Sequence, residues 1–220
     1  LIAVGLGKGS SLNMAPKGVW DALTFLNKVK RKEIEKINGS AAVIGGGNTA
    51  IDAAITVKRL GARDVYLIYR RSFAEMPAWP SERDAFLQEG GHILILTQPA
   101  GYLADENNML AGIRIVRTVL GEPDASGRRR PEPVKDSESI LKVNLAIEAI
   151  GQEIDDSLKQ ALSELAFSEK GTIKIENSSF KTNMPRVYAA GDIVNGGTTA
   201  VQCIYEGMKA AEQIHSDLSV

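Results

Sequence analysis

A glycine-rich turn constrains this chain more than any other feature of its sequence. Residues 40–44 are small or apolar and lead into Gly45, Gly46 and Gly47, and Ala50 completes a Gly-x-Gly-x-x-Ala pattern that opens a helix-like segment. The order of strand, glycine turn and helix is the start of a dinucleotide-binding βαβ unit, in which phosphates meet the unpaired N–H groups of a helix N-terminus. A turn that binds no nucleotide is the alternative.

The end of the second strand predicts which nucleotide is bound. Residues 64–69 read as a strand, and Arg70 and Arg71 follow it, 25 and 26 positions after Gly45. A carboxylate there would bind the ribose 2′-hydroxyl of NAD, whereas arginines can pair with a 2′-phosphate. The sequence therefore predicts a preference for NADPH. Two solvated arginines without a ligand are the alternative.

Composition argues against several classes of function. The 220 residues carry a net charge of −1, so neither nucleic acid nor an anionic membrane surface is an expected partner. One cysteine and two distant histidines predict neither a disulfide framework nor a metal site. The apolar runs are too short for a membrane span and no secretory leader is visible, so we predict a cytoplasmic location. Because the chain enters inside an apolar run, we expect a piece of a longer protein.

The pattern of apolar and turn residues predicts the remaining elements. The expected elements are a strand over residues 1–7, a connection broken around Asn13 and Pro16, a helix over 19–29, a helix capped by Ser81, a strand over 92–96, a hairpin strand over 109–119, a turn over 121–133 and a strand over 141–150. We interpret Arg128, Arg129 and Arg130 as the exposed tip of that turn. A β-meander inserted between the strands of a nucleotide-binding domain is typical of flavoprotein NADPH domains.

The last third of the chain contains a second glycine motif. Residues 171–175 and 186–190 read as strands, and the second ends in Gly191 and Asp192. Thr198 and Thr199 then open a helix whose apolar positions keep the helical period; they are Val201, Ile204, Met208, Ala211 and Ile214. Cys203 has no CxxC partner, so we predict a small buried thiol, which disfavours disulfide redox chemistry.

Five ordered motifs carry a resemblance to a known family. They are Val-Ile-Gly-Gly-Gly-Asn-Thr-Ala-Ile-Asp at 43–52, Tyr-Arg-Arg at 69–71, Met-Pro at 76–77, Ala-Ile-Gly-Gln at 149–152 and Val-Tyr-Ala-Ala-Gly-Asp-Ile-Val at 187–194. The chain resembles the small-subunit family of bacterial glutamate synthase and the electron-entry half of dihydropyrimidine dehydrogenase. The resemblance covers the later part of that module. The family's first FAD-binding motif and its iron–sulfur domain would lie upstream of Leu1.

The resemblance implies a function and a set of cofactor-binding residues. In that family NADPH gives a hydride to FAD, and electrons pass on to iron–sulfur clusters or a partner subunit. By resemblance, Gly45, Gly47, Asn48 and Thr49 would line the pyrophosphate, Arg70 and Arg71 would hold the 2′-phosphate, and Asp192 would bind the ribityl chain of the flavin. The remaining cofactor-binding candidates are Gly46, Gly151, Gly191, Thr198 and Thr199. Hydride transfer needs positioning rather than a protein acid or base, so no catalytic residue is assigned.

The expected fold class is α/β, with a Rossmann-like NADPH-binding domain, an inserted β-meander and the C-terminal part of an FAD-binding domain. We expect residues 1–18 to be a remnant of the FAD-binding domain, 19–151 the NADPH-binding domain and 152–220 the rest. This piece alone is not expected to retain FAD tightly. A non-catalytic module that senses NADPH is the alternative. A methyltransferase-type fold is disfavoured by the paired arginines and the second Gly-Asp motif.

Overall fold

The chain forms two compact units. A computed structural model describes residues 1–12, 15–123, 127–176 and 179–219. The larger unit is Gly9–Ile150, and the smaller combines Leu1–Lys8 with Gly151–Val220. The first strand, β1 (Gly7–Gly9), lies where the chain enters the larger unit. The units therefore divide after Lys8 and after Ile150, whereas the domain limits expected from the sequence lie after residues 18 and 151, and those domain assignments stay predictions.

The larger unit alternates strands and helices, then forms an antiparallel region, and its last strand returns to the parallel sheet. In chain order its elements are β2 (Val19–Asp21), α1 (Ala22–Lys30), β3 (Ala41–Ile44), α2 (Asn48–Arg59), β4 (Val65–Ile68), α3 (Pro80–Gln88), β5 (His92–Leu94), β6 (Thr97–Ala104), β7 (Leu110–Pro123), β8 (Arg129–Pro133), β9 (Ser139–Leu141) and β10 (Leu145–Glu148). A parallel sheet has the strand order β2-β10-β3-β4-β5. The chain leaves β3 toward β4 and later returns on the other side as β10. The carboxyl end of β3 is therefore a topological switch point, where α/β sheets bind ligands.

The parallel sheet is the middle of three layers. Ala41 and Val43 of β3 face the helices, whereas Ala42 and Ile44 face the meander formed by β6 to β9. All four side chains are buried, because both faces of the sheet are covered. This explains why the strand reads as a continuous apolar run rather than an alternating one. The predicted α/β class and the inserted meander are confirmed.

In the meander, the bounds of several strands differ from those that the sequence predicts. The hairpin strand expected over residues 109–119 continues to Pro123, and Arg129–Pro133 forms β8 rather than a turn. Residues 124–126 of that expected turn lie outside the described residues. The single strand expected over 141–150 is two strands, because β9 pairs with β7 whereas β10 joins the parallel sheet. Pairing partners far away in sequence decide these boundaries.

Two helix starts also differ from the expectation. Residues 19–21 form strand β2, and α1 begins only after Asp21, whose carboxylate accepts a hydrogen bond from the Thr24 N–H at 3.0 Å. Helix α3 begins at Pro80 with Trp79 as its N-cap, so Ser81 is not the cap. Proline suits the first helical position because the N–H that it lacks would have no partner there.

The smaller unit has its own core. Its further elements are β11 (Gln152–Ile154), α4 (Asp156–Ala161), α5 (Asp192–Asn195) and α6 (Ala200–Leu218), and β11 pairs with β1. The sequence predicts strands over residues 1–7, 171–175 and 186–190. Among the described residues, these stretches form chiefly isolated β-bridges, such as Ile2 with Ala189 and Phe167 with Ile173. Ile173 and Ala189 are nevertheless buried in this core, so their apolar character reflects packing rather than an extended ladder.

Helix α6 begins as the sequence predicts but exposes its apolar stripe. Thr199 is the N-cap and accepts a hydrogen bond from the Gln202 N–H at 3.3 Å. Val201 is 76% exposed and Ile204 64% exposed, so the periodic apolar residues do not pack into the core of this unit. Cys203 is partly buried, whereas the sequence predicts a buried thiol. Within the described residues, no helix is both long enough and apolar enough to cross a membrane.

Candidate nucleotide-binding site

The glycine turn follows β3 at the switch point, and its three glycines have different surroundings. Gly45 has a φ of +148°, and a Cβ there would lie 2.4 Å from the carbonyl oxygen of Ala149. At Gly46 a Cβ would lie 2.4 Å from the ring of Tyr69. A side chain is therefore excluded at both positions, because the backbone after β3 is pressed between β10 and the end of β4.

Gly47 differs because the space above it is open. A Cβ at Gly47 would meet nothing within 4 Å. Gly47 is the N-cap of α2, and it has no side chain with which to cap the first N–H groups of that helix. An uncapped helix N-terminus with open space in front of it fits a phosphate group. Ala50 is fully buried, which lets the helix start lie close to the sheet.

The segment after Arg71 folds back over the glycine turn. The Ala78 N–H donates to the carbonyl of Gly46 at 2.9 Å, and the Trp79 N–H donates to Oδ1 of Asn48 at 3.2 Å. Asn48 therefore fixes the start of α3 in addition to its predicted role at the pyrophosphate. Thr49, the next residue of α2, is partly buried. The structure thus brings Gly45, Gly46, Gly47, Asn48 and Thr49 together in one turn.

Arg70 and Arg71 lie just beyond β4 in contrasting environments. Arg70 is exposed. Arg71 is buried, and its Nε donates to the carbonyl oxygen of Arg129 in β8 at 2.7 Å. The exposed guanidinium of Arg70 can pair with a phosphate through its N–H donors. The backbone of Arg70 is fixed as well, since its carbonyl accepts a 2.7 Å hydrogen bond from the Thr118 hydroxyl of β7.

Tyr69 connects the glycine turn with the two arginines. Its ring packs against Gly46, and its hydroxyl donates to the carbonyl of Glu75 at 2.7 Å. Burial raises the pKa of Tyr69, and the positive charges of Arg71 and Arg128 oppose that rise. The hydrogen bonds from Ser72 hold the pKa of the Glu75 carboxyl below its ordinary value. The corner beyond β4 thus combines the positive charges of Arg71 and Arg128 with the carboxylate of Glu75.

Glu82, in the first turn of α3, is a further candidate that the sequence alone does not identify. Its Oε2 atom is buried without a hydrogen-bond partner among the described residues. Buried carboxylate oxygens normally have a partner, so this oxygen is available to accept from a water molecule or a ligand. Glu82 lies in the first turn of α3, whose start is hydrogen-bonded to the glycine turn. The signal in the sequence, a carboxylate in a helix first turn, is too common to identify it.

The second glycine motif lies in the smaller unit and has a hydrogen-bonded framework of its own. Gly191 has a φ of +78°, and its N–H donates to Oε2 of Glu206 at 3.0 Å. Asp192 accepts at Oδ1 from the Thr198 N–H at 3.1 Å and from the Cys203 thiol at 3.2 Å. Because both donors use Oδ1, Oδ2 remains as the oxygen that would accept from a ligand hydroxyl.

The structure therefore brings the predicted residues of this motif into one turn. Thr198 contacts Asp192 through its backbone, and Thr199 caps α6. Gly151 begins the smaller unit after β10, with a φ of +143° that favours glycine. Glu206 was missed because a glutamate in a helix interior gives no signal of its own. A polar, glycine-bounded turn beside a helix N-terminus fits the sugar-like hydroxyls and phosphates of a dinucleotide.

Comparisons with known proteins agree with this geometry. The chain is 40% identical over 97% of its length to the NADP(+)-dependent formate dehydrogenase subunit beta of Moorella thermoacetica, covering 31% of that protein. It is 35% identical over 98% of its length to the glutamate synthase [NADPH] small chain of Azospirillum brasilense, covering 48% of it. The expected resemblance to glutamate synthase small chains is confirmed. The chain spans 31% of the length of the first relative and 48% of the second, so it covers less than half of either.

Solved structures share the fold. FprA of Mycobacterium tuberculosis, solved in complex with NADPH, aligns with a TM-score of 0.78 over 99% of this chain and 63% of its own, at 16% identity. Thioredoxin reductase of T. acidophilum aligns with a TM-score of 0.72 over the whole chain and 65% of its own, at 18% identity. The family model of the pyridine nucleotide-disulphide oxidoreductases, enzymes that bind NADPH and FAD, matches residues 1–207. The chain belongs to the pyridine nucleotide-disulphide oxidoreductase family.

Proposed function

We propose that this chain is the NADPH-binding portion of a flavin-dependent oxidoreductase that passes electrons to iron–sulfur clusters or a partner subunit. The observation that carries the proposal is the open, uncapped N-terminus of α2 at Gly47, at the switch point of the sheet and beside the arginines beyond β4. Phosphates would bind at the helix start, and the extra phosphate of NADPH would bind Arg70 and Arg71.

The chain's own residues would position the nucleotide rather than react with it. Gly45 and Gly46 keep the turn tight against Ala149 and Tyr69, which fixes where the phosphates can lie. The orphaned oxygen of Glu82 would accept a hydrogen bond from the bound nucleotide. Such positioning supplies much of the rate when the two reacting groups need only meet in the correct geometry.

The flavin would depend on the smaller unit. Gly191, Asp192, Thr198 and Thr199 would hold FAD, with Oδ2 of Asp192 accepting from a hydroxyl and the start of α6 facing negative charge. Bound FAD supplies the hydride acceptor and one-electron transfer onward. Two relatives are named as a subunit beta and a small chain, which supports a partner subunit as the electron acceptor. A cytoplasmic location remains a prediction.

The decisive experiment is flavin reduction measured by rapid mixing. The complete protein that carries this chain, loaded with FAD, is mixed anaerobically with NADPH or with NADH, and the visible absorbance of the flavin is followed. We expect reduction by NADPH to be much faster than by NADH. Tight NADPH binding without flavin reduction would instead favour the non-catalytic sensing module. Equal rates with both nucleotides would contradict the preference for NADPH.

A further inference from the structure

The first two turns of α6 present polar side chains to the second glycine motif. Gln202, Cys203 and Glu206 lie on one face of the helix, because residues four positions apart are neighbours there. The Cys203 thiol donates to Oδ1 of Asp192 at 3.2 Å, and Nε2 of Gln202 donates to Oε1 of Glu206 at 3.0 Å. Val201, in the same turns, is 76% exposed instead. The start of α6 is therefore attached to this motif by directed hydrogen bonds.

The carboxylate of Glu206 joins α6 to both ends of α5. Its Oε2 accepts from the Gly191 N–H at 3.0 Å and from Nδ2 of Asn195 at 3.0 Å. Gly191 is the N-cap of α5, and Asn195 is its last residue. Hydrogen bonds to an ionised acceptor are roughly twice as strong as those between neutral groups. One side chain of α6 therefore holds the beginning and the end of this short helical turn.

The contact at Gly191 bears directly on Asp192, the next residue. With Gly191 held at a φ of +78°, the direction in which the Asp192 side chain leaves the backbone is fixed. The carboxylate of Asp192 is held separately, since its Oδ1 accepts from the Thr198 N–H at 3.1 Å and from the Cys203 thiol. Backbone and side chain are thus attached at different points. Such a network specifies one arrangement, in which Oδ2 remains for a ligand.

Resting on the proposed function, we propose that Glu206 is a positioning residue of the flavin site. It holds Gly191 and Asn195, and it acts on FAD through Asp192. The reach of its side chain matters more than its charge, because the groups that donate to it among the described residues are neutral and an amide oxygen can accept from them as well. A turn that is already ordered binds its ligand more tightly, since less free energy is spent on ordering it.

The test compares variants that separate the reach of this side chain from its charge. Glu206→Gln keeps the length and an acceptor oxygen but removes the charge, whereas Glu206→Asp keeps the charge and shortens the side chain by a methylene group. Glu212→Gln is the matched control, because Glu212 also lies in α6 and is paired with Lys209 at 2.8 Å. The complete protein that carries this chain is freed of flavin, and the dissociation constant of FAD is measured by titration for each variant.

We expect Glu206→Ala and Glu206→Asp to weaken FAD binding about tenfold, since the Gly191 N–H loses its acceptor. Glu206→Gln should remain within about threefold of wild type because its amide oxygen accepts in the same place, and Glu212→Gln should bind as wild type does. Amide hydrogen exchange without FAD, followed by mass spectrometry, gives a second readout. The peptide that contains Gly191 should exchange faster in the two weakened variants, whereas β11, whose Ile154 is buried in the core of the same unit, should not change.

The outcomes separate this inference from the function on which it rests. A loss of affinity in Glu206→Gln as large as in Glu206→Ala, or no loss in Glu206→Asp, would overturn the positioning role. Faster exchange throughout the smaller unit in Glu206→Ala would also overturn it, because the fold and not one turn would then depend on Glu206. Asp192→Ala that still binds FAD normally would overturn the flavin site and this inference with it. If Asp192→Ala weakens FAD binding and Glu206→Ala does not, the inference alone fails.

Discussion

Arg70 and Arg71 are adjacent in the sequence but are not equivalent in the structure. Arg70 is exposed, whereas Arg71 is buried and donates to the carbonyl of Arg129. Replacing Arg71 would leave the carbonyl of Arg129 without this donor and would remove a buried side chain, so it would weaken the fold as well as binding. Arg70 is therefore the better residue with which to measure recognition of the 2′-phosphate.

Arg70→Ala should weaken NADPH binding while leaving NADH binding nearly unchanged. The expected loss is about 1.5–3 kcal/mol, the contribution of a hydrogen bond to a charged group. Fluorescence titrations of wild type and variant with each nucleotide measure it. NADH provides the internal control because it lacks the 2′-phosphate. Equal losses for both nucleotides would place Arg70 elsewhere in the site.

A buried pair outside the nucleotide site predicts how stability depends on pH. Glu148 is 2% exposed, and its carboxylate accepts from the Tyr102 hydroxyl and from the Leu12 N–H, the latter at 2.9 Å. Burial, followed by the hydrogen bond to Glu148, raises the pKa of Tyr102 above its ordinary value of 10.0. The folded state therefore favours the neutral phenol, and its contribution to stability is complete below that pH.

We expect the free energy of unfolding to fall as the pH rises above 10.0, because the unfolded state releases the Tyr102 proton first. In Tyr102→Phe the free energy of unfolding should fall less over the same pH range, because the titrating phenol is absent. At neutral pH the variant should be about 1–3 kcal/mol less stable, since Glu148 loses a donor in a buried place. Urea denaturation of both proteins at neutral and alkaline pH tests this. Parallel pH profiles would contradict it.

At the scale of elements, the glycine turn combines two requirements that substitution can separate. At Gly46 the ring of Tyr69 fills the space that a side chain would need, whereas at Gly47 that space is open. The first glycine is therefore needed for packing of the turn, and the second for the approach of a ligand. The sequence pattern shows both as glycine and does not distinguish these reasons.

Gly46→Ala should destabilise the larger unit by about 1–3 kcal/mol, because the added methyl group overlaps the ring of Tyr69. Gly47→Ala is the matched variant with the same added group. It should fold with little change in stability yet bind NADPH more weakly, since its methyl group lies where the phosphates approach. Urea denaturation and NADPH titration of both variants give the two readouts. Comparable destabilisation by the two substitutions would contradict this division.

At the scale of the whole molecule, the nucleotide candidates and the second glycine motif belong to different compact units. The glycine turn, Arg70, Arg71 and the meander all lie in Gly9–Ile150, whereas Gly191 and Asp192 lie in the other unit. Each unit has its own buried core. A ligand that binds one unit should therefore stabilise that unit selectively.

NADPH should slow amide hydrogen exchange mainly in the larger unit. The slowest-exchanging segments of β3, α2 and β4 should gain the most protection, because local opening of this unit must release the nucleotide. Exchange of the smaller unit, including α6, should change little. Mass spectrometry of the chain with and without NADPH measures this segment by segment. Protection spread equally over both units would argue against a nucleotide site confined to the larger one.

Local sequence predicted the glycine turn because interactions between neighbouring residues produce it. Gly45 needs a positive φ, and the helix beginning at Asn48 follows from the pattern of small and apolar residues. The same holds for Thr199, whose side chain caps α6 through a bond to Gln202. Interactions of this kind span a few residues, so the sequence indicates them directly.

Tertiary structure decided what depends on distant partners. It made residues 129–133 a strand and placed the backbone of Arg129 against Arg71, because β8 pairs with β7. It also divided residues 141–150 between two sheets and buried Glu148 against Tyr102. The sequence by itself determined the α/β class, the glycine turn and the paired arginines. Only the folded chain could decide which far residues complete that corner, because long-range strand pairing leaves no periodic signal in a short stretch of sequence.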